Sequence, residues 1–265
     1  MMNEKIGVIG VGNMGGAILS GALESGTIAK ENVYVYDINP AMMDKAASWG
    51  VNLAADDEEV CEKADIILLA VKPQNAAEAL GMCKKALDGK AMMSIVAGVT
   101  VERLQNMIDG TPRILSLLPN TPAMVYEGAF AVCSDNDFTE QEFECALSIY
   151  KSIGVVELIP EHLIDAACAL NGGGPAFVAM FIEAMADGGV KQGLPRATAY
   201  RLAAQTCLGT AKMILDKNLH PGQIKDMVTS PGGTTIEGCE KLEVAGMRGA
   251  VIECINAAAE KSKKL

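Results

Sequence analysis

The tightest constraint on this chain lies between Ile6 and Ala17, in the run IGVIGVGNMGGA. Gly10, Gly12 and Gly15 keep a G-x-G-x-x-G spacing directly after an apolar run, Ile6 to Val11. Small residues, Gly16 and Ala17, follow where a helix would begin. Each glycine answers a separate backbone demand. Gly10 permits a tight strand-to-helix turn, Gly12 lets the main chain approach a pyrophosphate, and Gly15 lets the helix lie close on the strand. The helix start, with Asn13 and Met14, supplies free N–H groups for the anion. A turn made glycine-rich for steric reasons alone would share this spacing, but the strand before it and the helix after it favour a dinucleotide site.

The chain beyond the glycines has the matching rhythm. Up to Pro160, short β-like runs alternate with helix-length amphipathic segments. Strands are expected over Lys5–Val11, Val33–Asp37, Asp65–Val71, Ala91–Val96, Arg113–Leu118, Ala129–Cys133 and Val155–Ile159. Helices are expected between the early ones, over Asn13–Ser25, Pro40–Trp49, Gln74–Leu87 and Val101–Ile108. Runs such as Ile66 to Val71 are apolar throughout, which marks a parallel sheet covered on both faces. Beyond Pro160 only helical periodicity is visible, with Pro175 and Pro195 fitting first helical positions and Gly193 and Gly246 fitting helix stops. The fold class is therefore α/β: a Rossmann-type, doubly wound, mainly parallel sheet over residues 1–160, then an all-α domain over 161–265.

Composition removes several alternatives. The formal net charge is −11, and residues 1–160 hold 22 Asp/Glu against 11 Lys/Arg, whereas 161–265 are balanced at 11 against 11. An acidic first half argues against nucleic acid and anionic membranes as partners. Eight cysteines show no C-x-x-C pair, and the two histidines, His162 and His220, stand apart from them. No metal site or disulfide framework is expected, and a reducing cytoplasm fits. The best membrane-spanning candidate, Pro175 to Ala186, is short and interrupted by Glu183, so no membrane span is expected.

Candidate site residues cluster at strand ends, because the carboxyl edge of a doubly wound sheet lines the ligand crevice. Asp37 ends the second strand, where an acidic residue accepts a hydrogen bond from the ribose 2′-hydroxyl and so favours NAD; the other reading is a cap on the turn before Pro40. Ala70, Val71, Lys72 and Pro73 close the third strand, placing Lys72 either against a cofactor phosphate or sugar or in solvent. Asn120, within Pro119–Pro122, is expected near a nicotinamide, and Ala97 with Gly98 makes a weaker case. In the helical half, Val228 to Thr235 sets two glycines among hydroxyl residues ahead of a helix. That pattern forms either a carboxylate receptor without a fixed cation or an ordinary capped turn. Asn171 to Pro175 reads either as close passage of backbone to a ligand or as a kink in a long helix.

These motifs together resemble pyrroline-5-carboxylate reductase. The most specific match is Lys225 to Ile236, KDMVTSPGGTTI, supported by the opening glycines, Val71-Lys72-Pro73, Pro119 to Pro122, Gly174 to Phe177 and Ala186 to Val190. The resemblance implies reduction of 1-pyrroline-5-carboxylate, a cyclic imine carboxylate, to L-proline by NADPH or NADH. It also implies a homodimer with interleaved helical domains, extending to a ring such as a decamer. Carried over by motif, Ser230, Gly232 and Gly233 hold the substrate carboxylate, Thr235 hydrogen-bonds the ring nitrogen, and Glu161 lines the pocket. Asn171 and Gly173 depart from the family, where many members have serines. Asp37 stands where members vary, and the choice between NADPH and NADH is open. A 3-hydroxyacid or 6-phosphogluconate-type dehydrogenase would need a basic residue early in the long helix, where Pro175 to Val190 has neither Lys nor His. A non-catalytic dinucleotide sensor would have no use for Ser230 and Thr235.

Overall fold

The computed structural model describes residues 4–264. Its eight strands are β1 (Ile6–Ile9), β2 (Val33–Tyr36), β3 (Asn52–Leu53), β4 (Ile66–Leu69), β5 (Ala91–Ser94), β6 (Arg113–Leu118), β7 (Gly128–Cys133) and β8 (Gly154–Ile159). They form one sheet in the order β3-β2-β1-β4-β5-β6-β7-β8. All pairs are parallel except β6 with β7, which is antiparallel. The helices interleaved with these strands are α1 (Asn13–Glu24), α2 (Pro40–Ser48), α3 (Asp57–Lys63), α4 (Ala76–Cys83), α5 (Val101–Gln105) and α6 (Glu140–Lys151).

The continuous apolar runs fill two cores at once. Ile6, Val8, Ile66, Leu68, Ala91, Met93, Leu115 and Leu117 point to one face, where they meet Ile18, Leu19 and Tyr150. Their neighbours Ile9, Ile67, Leu69, Met92 and Ile114 point to the other, against Val60, Leu80, Leu87 and Leu104. Strand side chains alternate between faces, so a sheet buried on both sides needs apolar residues at every position.

Two compact units are present: one runs through Gly173 and takes in the chain from Ala259 onward, and the other is Gly174–Ala258. After β8 the chain forms α7 (Ile164–Ala167), a π-helical turn at Cys168–Gly172, and α8 (Gly174–Lys191), then α9 (Arg196–Lys217), α10 (Pro221–Val228), α11 (Thr234–Val244) and α12 (Met247–Ser262). Pro175 stands in the first turn of α8, one residue after its start, with the π turn directly upstream. Proline lacks an N–H and its ring crowds the carbonyl four residues back, here Asn171, and the widened π turn sits where that conflict falls. Of the two sequence readings of Asn171–Pro175, the irregularity in a long helix is the one observed.

The same run is longer and more apolar than the Pro175–Ala186 stretch singled out in the sequence. Glu161–Lys191 spans 31 helical residues, and an 18-residue stretch within it has a mean hydropathy of 1.3, long and apolar enough by length and composition to cross a membrane. The sequence pattern hid this because Gly172 to Gly174 look like a break. Pro195 caps α9 from the preceding position. Gly193 and Gly246 end their helices with φ of +98° and +73°, as expected. The second unit's own core is small: Ala186, Ala199 and Ala203 pack with Ile182 and Val190 between α8 and α9. Many of its large apolar side chains stay exposed, among them Met180, Leu202, Leu215, Met227, Val244 and Ile252.

Candidate active site

The three glycines after β1 occupy three different environments. Gly10 has φ +93°, and its N–H donates to the Tyr36 carbonyl at 2.9 Å. A Cβ there would lie 2.7 Å from the Ala70 carbonyl oxygen. At Gly15 a Cβ would lie 2.2 Å from the Gly10 carbonyl oxygen and 2.8 Å from the Ala70 methyl, so the helix start is pressed onto the turn. At Gly12 a Cβ would meet nothing within 4 Å. Gly12 also precedes α1 without a capping side chain, and the first turn carries no acidic residue. Its N–H groups are left for an anion from outside the chain. Asn13 is exposed and Met14 half-buried beside that opening. A turn crowded on two sides and open on the third fits a dinucleotide pyrophosphate.

Asp37 is tied into this loop. Its Oδ2 accepts the Val11 N–H at 2.7 Å, and its Oδ1 accepts the Asn39 N–H at 2.8 Å. The turn role read from the sequence is therefore present, and the remaining lone pairs leave the ribose role chemically available. At the end of β4, Ala70 is held by its N–H to the Ile9 carbonyl at 2.8 Å, while Lys72 and Pro73 are exposed and Val71 is partly covered. Ala97 and Gly98 are exposed after β5, with Gly98 at φ +71°.

Asn120 is buried, and its Oδ1 accepts the Ala129 N–H at 2.8 Å, so its carbonyl end fastens the loop to β7. Asn171, read from the sequence only as part of a ligand passage or a helix kink, joins the same knot. Its Nδ2 donates to the carbonyls of Leu118 and Ala129, each at 3.1 Å, and its buried Oδ1 has no partner. Side-chain amides thus take up both backbone groups of Ala129. Glu161 is exposed beside an open cavity of about 510 Å³ that it lines with Thr100, Gln105 and His162. Its N–H donates to Asp135 Oδ2 at 3.1 Å.

Carboxylates outside the sequence-derived candidates also stand at this edge. Asp56 caps α3, accepting the Glu59 N–H at 2.8 Å, and Asp57 opens the helix. Burial, followed by the charges of Asp56, Asp37 and Glu78, raises the Asp57 carboxyl to about 6. The acidic run Asp56–Glu59 was the available signal.

The loop of the second unit stands by itself. Gly232 has φ +65°, the Gly233 N–H donates to the Ser230 carbonyl at 3.0 Å, and α11 starts after Gly233 with no side-chain cap. Gly232 and Thr235 are exposed, and Ser230 and Gly233 lie along the same short loop. The uncapped first-turn N–H groups and two hydroxyls can receive a carboxylate without a fixed cation, although Glu237 in the first turn weakens the pull. His220 is spent on structure, its Nδ1 accepting the Gly222 N–H at 3.1 Å to cap α10. Among the described residues, no group of three His, Cys, Asp or Glu side chains could hold a metal ion.

Known proteins of similar sequence and shape extend this picture. A family model described as pyrroline-5-carboxylate reductase dimerisation matches residues 161–265. A second, described as NADP oxidoreductase coenzyme F420-dependent, matches residues 5–98. Pyrroline-5-carboxylate reductase of Escherichia coli is 43% identical over 269 residues, covering 100% of this chain and 99% of its own. That of Methanosarcina acetivorans is 41% identical over 268 residues with the same coverage. Among solved structures, the Coxiella burnetii reductase superposes with a TM-score of 0.94 at 30% identity, covering 99% of this chain and 98% of its own. The Plasmodium falciparum reductase with NADP bound gives 0.87 at 34%, covering 100% and 98%.

Proposed function

The chain belongs to the pyrroline-5-carboxylate reductase family, as an oxidoreductase that reduces 1-pyrroline-5-carboxylate to L-proline with NAD(P)H, and on that premise we propose which residues do the work. Residues 1–160 form the dinucleotide-binding domain and 161–265 the dimerisation and substrate domain. Gly10, Gly12, Asn13, Met14 and Gly15 cradle the pyrophosphate, with Asp37 at the ribose. Ala70, Val71, Lys72, Pro73, Ala97 and Asn120 line the crevice along the rest of the cofactor. The observation that carries this reading is the contrast among the glycines, crowded at Gly10 and Gly15 and open at Gly12.

When bound, the dinucleotide supplies the hydride. The chain supplies position. A protonated cyclic imine is already a strong electrophile, so alignment contributes more than a strong acid or base. Ser230, Gly232 and Gly233 with the start of α11 fix the substrate carboxylate, Thr235 orients the ring nitrogen through its hydroxyl, and Glu161 borders the pocket. No lysine or histidine needs to act as general base.

The exposed apolar surface of the second unit fits a homodimer with interleaved helices, and a larger ring such as a decamer builds on it. The apolar flank of Glu161–Lys191 then meets a partner subunit and not lipid. Cysteines held as thiols and not as disulfides fit a reducing cytoplasm. Purified protein should oxidise NADH or NADPH when given 1-pyrroline-5-carboxylate, and no turnover with either would refute the activity. Thr235→Ala should cut turnover while cofactor binding, followed by fluorescence titration, is retained; a lost cofactor affinity would contradict the placement of Thr235.

A further inference from the structure

Asp37 is held by two bonds that point its carboxylate in a fixed direction. One ties it to the glycine loop through Val11, the other to the turn into α2 through Asn39. A carboxylate has about four acceptor positions, so about two remain for vicinal hydroxyls of a ribose. Swinging the side chain aside to admit an anion would break both bonds and loosen the loop that carries Gly12.

The neighbouring strand adds charge of the same sign. β3 pairs in parallel with β2, and the Ala54 N–H donates to the Val35 carbonyl at 2.9 Å, so the chain leaving β3 emerges beside the end of β2. It brings Asp56 and Asp57 to that edge, and α4 brings Glu78 close enough for its charge to be felt at Asp57. Of the bases on these elements, Lys45 on α2 rests over the Trp49 ring at 5.4 Å with its Nζ beside the first turn of α1, 3.3 Å from where a Cβ on Gly16 would stand, and Lys63 belongs to the last turn of α3. Residues 38–40, directly after Asp37, are Ile, Asn and Pro, with no Ser, Thr or Arg to receive a phosphate.

We propose that this chain selects NADH over NADPH, with Asp37 accepting from the ribose 2′-hydroxyl and Asp56 and Asp57 repelling a 2′-phosphate. The inference rests on the dinucleotide site proposed above and deepens it. The Plasmodium falciparum relative was solved with NADP bound, so the selection belongs to this chain's carboxyl edge and not to the shared fold.

The test titrates the full-length protein with NADH and with NADPH, reading Trp49 fluorescence, and measures kcat/KM for each. A fixed like charge at contact distance predicts a preference of about 100-fold or more for NADH. Asp37→Ser should reduce that ratio by about tenfold or more, and Asp57→Asn, which leaves both Asp37 bonds intact, by about threefold. Equal or tighter binding of NADPH by the wild type would overturn the inference while leaving reductase activity standing. A ratio unchanged in both variants would overturn the roles given to Asp37 and Asp57. Failure to bind either dinucleotide would remove the site itself, and this inference with it.

Discussion

Two alanine substitutions in one loop should fail in opposite ways. In Gly15→Ala the new methyl would lie 2.2 Å from the Gly10 carbonyl oxygen and 2.8 Å from the Ala70 methyl. Both neighbours are immobile: the Gly10 N–H is bonded to the Tyr36 carbonyl, and the Ala70 N–H to the Ile9 carbonyl. Relief therefore requires α1 to back away, disturbing the packing of Ile18 and Leu19. Alanine gains up to about 1 kcal/mol of helix propensity, but overpacking costs about 1–3 kcal/mol and more against rigid backbone. The net loss should be about 2 kcal/mol, a fall in Tm of about 4–8 °C for a chain of this size. Gly12→Ala meets nothing within 4 Å and has φ −61°, a conformation open to alanine. Its stability cost should stay below about 1 kcal/mol, the order of a weakened cap. Its methyl fills the opening left for the pyrophosphate, and cofactor affinity should drop by about 100-fold, or about 2.7 kcal/mol. Thermal unfolding without cofactor and fluorescence titration with it read the two effects separately. A Gly12→Ala protein that binds cofactor like wild type, or a Gly15→Ala protein of wild-type Tm, would refute the division of labour.

Two other perturbations probe stability. The raised Asp57 carboxyl, about 6 when folded against about 3.9 in an unfolded chain, means the folded state holds the extra proton between those values. Its contribution should therefore worsen as pH rises from about 4 to about 6, by about 1 kcal/mol after screening of a partly exposed group. Urea midpoints should show Asp57→Asn gaining on wild type from pH 4.5 to pH 7, and a constant gap would refute this. Glu142 runs the other way: burial pushes it up, but Arg113 and Thr139 outweigh that and hold it low, so comparison with Asp57→Asn isolates the Asp57 share. Asn171→Leu strips donors from the Leu118 and Ala129 carbonyls and should cost about 2–3 kcal/mol. Unchanged denaturant midpoints would refute the knot.

The sequence discloses features that backbone stereochemistry or double-sided burial forces on it. Gly10, Gly12 and Gly15 are legible because no other residue serves all three environments, and β1, β4 and β5 because both faces need apolar side chains. Less was visible where structure is short or polar. β3 has only two residues, and α3 opens on an acidic run that reads as a loop until Asp56 is seen capping it. α6 did announce itself through Thr139 and Glu142, a capping box that the strand-and-helix rhythm overshadowed. Long-range polar ties leave no periodicity at all. Asn120 also fastens its loop to β7 through its carbonyl, which no pattern announces, and nothing in LNGGG foretells that Asn171 reaches two strands.

The strand order carries a last consequence. β1 is the point from which the chain builds outward in both directions, β2 and β3 to one side and β4, β5 and β6 to the other. Asp37, Asp56 and Asp57 follow strands on the first side; Lys72, Ala97 and Asn120 follow strands on the second. On the site proposed above, recognition of the adenosine end and shaping of the reactive end fall on opposite sides of β1. Drift at the end of β2 can re-tune which reducing pool the enzyme draws on while the reacting centre is left as it was.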